Sequence, residues 1–222
     1  MPRMKDRPYK IALSLASVLA LTPVGLSLAG GPGSGGGEGE ITAELRNASE
    51  PAKAAYYSGM KLVKKAQAYE EEASKASTPE KNAQIHGKAL SAYRESLPAL
   101  IDAVIGLPKL YQAWNYLGFA NLRLGNFEDS LAAYSKAVEI KPNYPEAIAG
   151  RGEACLGLNM IDDAKAAYEL LGDAHKQAEE LMTAMHRWVD AHRQGAEDLT
   201  PAEIDAFSKW VDERPASASL GN

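Results

Sequence analysis

Residues 111–142 read YQAWNYLGFANLRLGNFEDSLAAYSKAVEIKP, and this pattern is the strongest indication of architecture in the chain. Two runs of apolar residues at steps of three and four flank the dipeptide Gly125-Asn126, which favours a turn. The second run ends at Pro142, a residue that cannot continue a helix. The pattern therefore predicts two helices joined by a tight turn, which is an antiparallel helical hairpin.

The same pattern occurs again 34 residues further along the chain. In the frame that begins at Pro145, Gly152 takes the place of Gly118 and Tyr168 takes the place of Tyr134. A period of about 34 residues is typical of the tetratricopeptide repeat, and the chain resembles proteins of that family. The residues that carry the resemblance are Trp114, Leu117, Gly118, Tyr134, Ala137, Pro142, Gly152, Ala164 and Tyr168.

The resemblance implies an all-α, tetratricopeptide-type solenoid of helical hairpins, with repeats at 111–144 and 145–178. Gly118 and Gly152 lie where the two helices of one hairpin are expected to approach closely. Tyr134 and Tyr168 are expected to fill the space between successive hairpins. A chain of 222 residues is expected to form one folded domain.

Residues 41–110 are predicted to form a divergent N-terminal hairpin with lengthened helices, in which Gly59 is the close-packing glycine. Thr78 and Pro79 start its second helix as N-cap and first helical residue. Pro98 and the segment 106–108 are expected to interrupt that helix and to leave a short buried helix between them, which carries Leu100, Ile101, Val104, Ile105 and Leu107.

The acidic run Glu70-Glu71-Glu72 is interpreted as a solvated helix face rather than as paired catalytic carboxylates. Residues 173–214 are predicted to form capping helices, because a solenoid needs its last repeat covered. Trp188 and Trp210 are expected to pack against the solenoid end, with exposure of one of them to a partner as the alternative.

Residues 1–29 resemble a targeting segment, with four basic residues followed by an apolar run. Cleavage after Ala29 is expected, and retention as a membrane anchor is the alternative. Both predict a protein exported to the periplasm or cell envelope of a bacterium. The glycine-rich residues 30–40 are expected to be a flexible linker.

No motif in the sequence predicts catalysis or a cofactor. Cys155 is the single cysteine, so an internal disulfide is excluded and a buried thiol is expected. His186 and His192 are six residues apart, which places them on different sides of one helix, so no metal site is predicted. The net charge of −5 argues against a nucleic-acid surface.

The resemblance places function on the concave surface, which the first helix of each hairpin lines. Its positions correspond here to Gln112, Asn115, Phe119, Leu122, Glu146, Ala149, Glu153 and Leu156. Some family members bind a partner's C-terminal carboxylate there through lysine, arginine and asparagine. Because Glu146 and Glu153 are present and the lysines are absent, such a carboxylate clamp is not expected.

Two descriptions of this groove stay open. In the first, Phe119 is an apolar anchor and the two glutamates contact a basic residue of a bound peptide. In the second, Phe119 is covered by the N-terminal hairpin and the glutamates are only solvated. The expected function is a non-catalytic scaffold that binds another protein. The alternative is a structural protein that assembles with further copies of itself. Membrane contact is expected only through the N-terminal segment, if it is retained.

Overall fold

The computed structural model describes residues 43–172 and 175–214, and the regular structure of these residues is helical apart from one isolated bridge between Ala196 and Leu199. The helices in chain order are α1 (Ala43–Asn47), α2 (Glu50–Ser74), α3 (Pro79–Gly106), α4 (Tyr111–Leu124), α5 (Phe127–Ile140), α6 (Pro145–Gly157), α7 (Ile161–Leu171), α8 (His175–His192) and α9 (Pro201–Asp212). Neighbouring helices pair as hairpins α2–α3, α4–α5 and α6–α7, which confirms the tetratricopeptide-type solenoid.

Local sequence explains where several helices begin and end. The Thr78 hydroxyl accepts a hydrogen bond from the Lys81 backbone N–H at 3.3 Å and caps α3, as predicted. Gly125 ends α4 in the left-handed region with φ of 77°, which costs little for a residue without a Cβ.

Tyr134 fills the space between the two repeats, as the pattern predicts. Its side chain is fully buried on α5, and a Cβ added to Gly118 would lie 2.9 Å from the ring. A Cβ on Gly150 of α6 would overlap the other end of the same ring. Where the first repeat docks on the second, Tyr134 therefore lies between two glycines.

In the divergent N-terminal hairpin, too, a glycine leaves room for a large side chain of the facing helix. A Cβ on Gly59 of α2 would lie 2.7 Å from Leu100 Cδ2 on α3, which agrees with the prediction that Gly59 is a close-packing glycine. The hairpin is long, because α2 has 25 residues and α3 has 28.

The predicted break at Pro98 is wrong, since α3 continues through this residue to Gly106. A proline inside a helix removes one backbone hydrogen bond and costs about 3 kcal/mol. Burial of Ser96 and Leu100 on either side holds the helix together. The predicted separate, buried helix does not exist, and its Ile101 and Ile105 are 46% and 72% exposed.

The core consists of two clusters of buried side chains. One is formed by residues of α1 to α5 and the start of α6, and the other by residues from Ile148 to Val211. Val138 of α5 packs against both clusters, so the apolar interior is continuous along the solenoid.

Helices α8 and α9 cover the second repeat, as predicted for a cap. Leu181 and Met185 of α8 are fully buried, and Phe207 of α9 packs edge-on against Trp188 with ring centroids 5.4 Å apart. Trp210 is half-buried and lies 5.7 Å from the Tyr168 ring, so both tryptophans pack at the solenoid end. A capping box between Thr200 and Glu203 starts α9.

None of the described helices is both long and apolar enough to cross a membrane. The predicted leader at 1–29, its cleavage after Ala29, and the linker at 30–40 lie outside the described residues. The export of the chain and the flexibility of the linker therefore stay predictions.

Candidate functional site

The first helices of successive hairpins lie side by side and form one surface of the solenoid. Helix α2 contacts α4, α4 contacts α6, and α6 contacts the capping helix α8. In stacked helical repeats such a surface is concave and extended, and it is where partners bind. We call the surface formed by α2, α4, α6 and α8 the groove.

Half of the predicted groove residues are buried rather than presented to solvent. The buried ones are Asn115, Phe119, Ala149 and Leu156. The others are half-buried, and they are Gln112, Leu122, Glu146 and Glu153. Repeat position alone therefore does not identify the accessible groove residues of this chain.

Phe119 is not an open apolar anchor. Its side chain is 3% exposed, and its ring packs edge-on against Tyr93 of α3 with centroids 5.8 Å apart. The N-terminal hairpin stacks on α4 as a preceding repeat would, and this covers the ring. The structure agrees with the expectation that the N-terminal hairpin covers Phe119, whereas Glu146 and Glu153 are half-buried rather than only solvated.

A buried ion pair crosses the groove between its first two helices. Arg123 of α4 donates from Nε to Glu70 Oε1 of α2 at 2.8 Å, and its Nη2 contacts the same oxygen. The Tyr93 hydroxyl donates to Glu70 Oε2 at 3.0 Å. Burial raises the pKa of Tyr93, and the neighbouring Glu70 carboxylate raises it further.

Sequence reasoning missed this pair, because it placed Glu70 on a solvated face. Glu71 and Glu72 are exposed as predicted, whereas Glu70 is 8% exposed. The position of Glu70 along α2 could have indicated its burial. The buried residues of this helix follow one another at steps of four and three, and they include Gly59, Val63, Ala66, Glu70 and Ala73.

Glu153 lies on α6 at the next step along the groove. It follows Phe119 by 34 residues and precedes Arg187 of α8 by the same interval. Burial raises the pKa of Glu153 to about 7, with a further increase from Glu180 of α8, while Arg123 and Arg187 act in the opposite direction. Burial dominates, so the carboxyl is partly protonated at neutral pH.

The carboxyl group of Glu153 has no bonded partner within residues 43–172 and 175–214, since neither a hydrogen bond nor an ion pair forms to it there. Arg123 and Arg187 therefore act on it through space rather than by contact.

Four tyrosines gather toward the N-terminal ends of the groove helices. We call Tyr56, Tyr111, Tyr116 and Tyr144 the tyrosine cluster. The rings of Tyr111 and Tyr144 meet edge-on at 4.8 Å, and those of Tyr56 and Tyr116 lie 6.1 Å apart. Lys141 Nζ donates to the Tyr111 hydroxyl at 2.9 Å. The sequence pattern did not predict this cluster.

Helix α4 also buries two side-chain oxygens without donors. Gln112 Oε1 and Asn115 Oδ1 have no hydrogen-bond partner within the described part of the chain. The two residues are three apart, which places them on the same side of the helix. Asn115 is 1% exposed, and its Nδ2 donates to the Tyr144 hydroxyl at 3.4 Å. Buried acceptors without donors are unfavourable until a donor arrives.

Cys155 is 3% exposed, which confirms the predicted buried thiol. Burial raises its pKa to about 11, so the reactive thiolate is scarce at neutral pH. Within the described residues, no group of three or more histidine, cysteine, aspartate or glutamate side chains is placed to hold a metal ion.

Comparison with known proteins identifies the repeat. The tetratricopeptide repeat family matches residues 111–144. The chain is 27% identical over 112 residues to a rice protein (Oryza sativa subsp. japonica) described as Protein SGT1 homolog, and the match covers 46% of this chain and 30% of that protein. The match thus spans less than a third of that relative's length. No solved structure gives a significant match.

The chain therefore contains a tetratricopeptide repeat, in a solenoid whose groove carries polar groups without partners among the described residues. Repeats of this family generally mediate interactions between proteins.

Proposed function

We propose that this protein is a non-catalytic scaffold that binds another protein in the groove. One observation carries the proposal. The groove buries hydrogen-bonding groups of Gln112 and Asn115 that have no donor within the described residues. A protein segment in the groove would supply such donors from its backbone N–H groups.

The cellular setting is proposed from the sequence. The basic, then apolar, residues 1–29 support export to a bacterial cell envelope, where the scaffold would act. Cell fractionation, together with the mass of the mature N-terminus, tests this part. A full-length chain recovered from the cytosol would contradict it.

The binding proposal is tested with the tagged full chain, isolated from its native cells. We expect the wild type to retain a different protein and Glu146→Arg, at a half-buried groove position, to lose it. Glu169→Arg is the matched control, because Glu169 is exposed on α7, outside the groove helices. Equal recovery of the partner by both variants would contradict binding in the groove.

Assembly with further copies is the second candidate. It is favoured by Ile101 and Ile105, which are exposed one turn apart on α3. Large exposed apolar side chains that cluster mark interaction surfaces. Light scattering of the purified chain separates the candidates. A scaffold keeps the mass of one chain over a hundredfold range of concentration, and self-assembly gives a mass that rises with concentration.

A further inference from the structure

The chemistry of the groove between α4 and α6 indicates what kind of segment binds there. This inference rests on the proposed function, because it names the partner chemistry of the same surface. It starts from Glu153, a half-buried carboxyl without a hydrogen bond or ion pair to any described residue.

The nearby cations do not neutralise Glu153 by contact. Arg123 is already bonded to Glu70, and its side chain is 10% exposed. Arg187 of α8 attracts the Glu153 carboxylate without forming an ion pair with it. Glu180, on the same helix as Arg187, forms an ion pair with Lys176 at 3.6 Å and still raises the pKa of Glu153 through its negative charge. A desolvated carboxylate in this position gains most from a new cation that contacts it directly.

The other unsatisfied groups in the groove also need donors. Asn115, which is 1% exposed, and the half-buried Gln112 both carry buried acceptor oxygens without partners in the described chain. An acidic segment would bring further anions beside Glu146, Glu153 and Glu180. A segment rich in N–H donors suits both the Gln112 oxygen and the Glu153 carboxylate.

We propose that the groove binds an extended segment of a partner protein that carries a lysine or arginine, and that this basic side chain pairs with Glu153. A backbone N–H group of the same segment donates to Gln112, whose side chain is half-buried. An arginine suits the site best, because its planar guanidinium offers two parallel donors to one carboxylate.

The partner chemistry is thus the reverse of a carboxylate clamp, in which cationic residues of the scaffold hold an anionic terminus. Binding of the basic side chain also removes the penalty of an isolated buried charge, so occupancy of the groove favours the ionised form of Glu153.

The test selects binders to the full chain from a displayed library of random twelve-residue peptides. We expect lysine or arginine to be enriched at one position of the selected peptides on the wild type. The enrichment disappears on Glu153→Gln, which keeps the shape of the side chain and removes its charge. Glu169→Gln, which removes an exposed charge from α7, keeps the enrichment.

A selected peptide then enters a double-mutant cycle. Replacing its basic residue by alanine weakens binding to the wild type by about tenfold or more, and binding to Glu153→Gln by less than about twofold. A thermal melt shows that Glu153→Gln is folded.

The outcomes separate this inference from the proposed function. Peptides that bind without a basic preference, or with one that Glu153→Gln retains, overturn the inference and leave the proposed function standing. If the full chain selects no peptides, both are overturned.

Discussion

Among single residues, Glu153 couples the stability of the fold to the ionisation of one carboxyl group. Its folded-state pKa is about 7, raised from an ordinary value of 4.5 chiefly by burial. Between these two values the folded state binds more protons at this site than the unfolded state does. Stability contributed by this group therefore falls as pH rises from about 4.5 to about 7, and the loss is complete above the folded pKa.

Glu153→Gln is predicted to abolish this pH dependence. The variant should be more stable than the wild type by up to about 3 kcal/mol near pH 8, since one unit of pKa corresponds to about 1.4 kcal/mol. The two proteins should converge in stability below about pH 4.5. Urea unfolding of both at a series of pH values measures the difference. A constant difference across the series would show that Glu153 is not the titrating group.

Removing one partner of the Glu70–Arg123 ion pair is predicted to lower the stability of the fold. Arg123→Met leaves the Glu70 carboxylate buried without its cation and should destabilise the fold by about 3–5 kcal/mol. Adding Glu70→Gln should recover at least half of that loss, because glutamine is neutral and still accepts the Tyr93 hydroxyl. Denaturant unfolding measures both.

Arg94→Met is the control for this pair, because Arg94 is exposed on α3. Its effect should stay within about 0.5 kcal/mol of the wild type. An Arg123→Met variant with the same small effect would mean that the pair contributes nothing to stability.

At the level of the helices, the packing of hairpin on hairpin depends on glycines that leave room for a ring. The fully buried Tyr134 side chain on α5 occupies the space over Gly118 of α4 and Gly150 of α6. The ring cannot move away from an added methyl group, because its two ends face different helices. These contacts help to set the spacing of α5 and α6, together with the contact of Phe127 on Gly157.

Gly150→Ala is predicted to destabilise the fold by about 1–3 kcal/mol through overpacking. Gly87→Ala is the matched control within another helix. A Cβ on Gly87 meets no atom within 4 Å, so this change should stabilise α3 by about 0.5–1 kcal/mol. Thermal unfolding of both variants measures these changes in stability. Similar effects of the two substitutions would contradict the packing role of Gly150.

Helix boundaries that depend on local chemistry could be predicted from the sequence. The Thr78 cap and the Gly125 turn both lie where the pattern indicates. The helix end predicted at Pro98 is wrong, and the reason is not local. Side chains of α3 beyond Pro98, such as Leu100, are buried against other helices, and that burial outweighs the local preference of proline.

Across the molecule as a whole, the repeat period predicted the solenoid and the order of its hairpins. It did not predict which groove residues are accessible. Phe119 holds a position that is open in an isolated repeat, but the N-terminal hairpin covers it. That hairpin departs from the repeat in length, so how it stacks on α4 cannot be read from the period. The contacts between Glu70 and Arg123, 53 residues apart, are missing from the local pattern for the same reason.

The proposed scaffold binds another protein in the groove and not on its outer surface. Photocrosslinking in native cells distinguishes the two surfaces, with a probe at Glu146 in the groove and a second at Ala166, which is exposed on α7. We predict that the Glu146 probe forms one discrete adduct with a different protein and that the Ala166 probe does not. Equal adducts from both positions, an adduct only with a second copy of this chain, or no adduct from Glu146 would contradict binding of a partner in the groove.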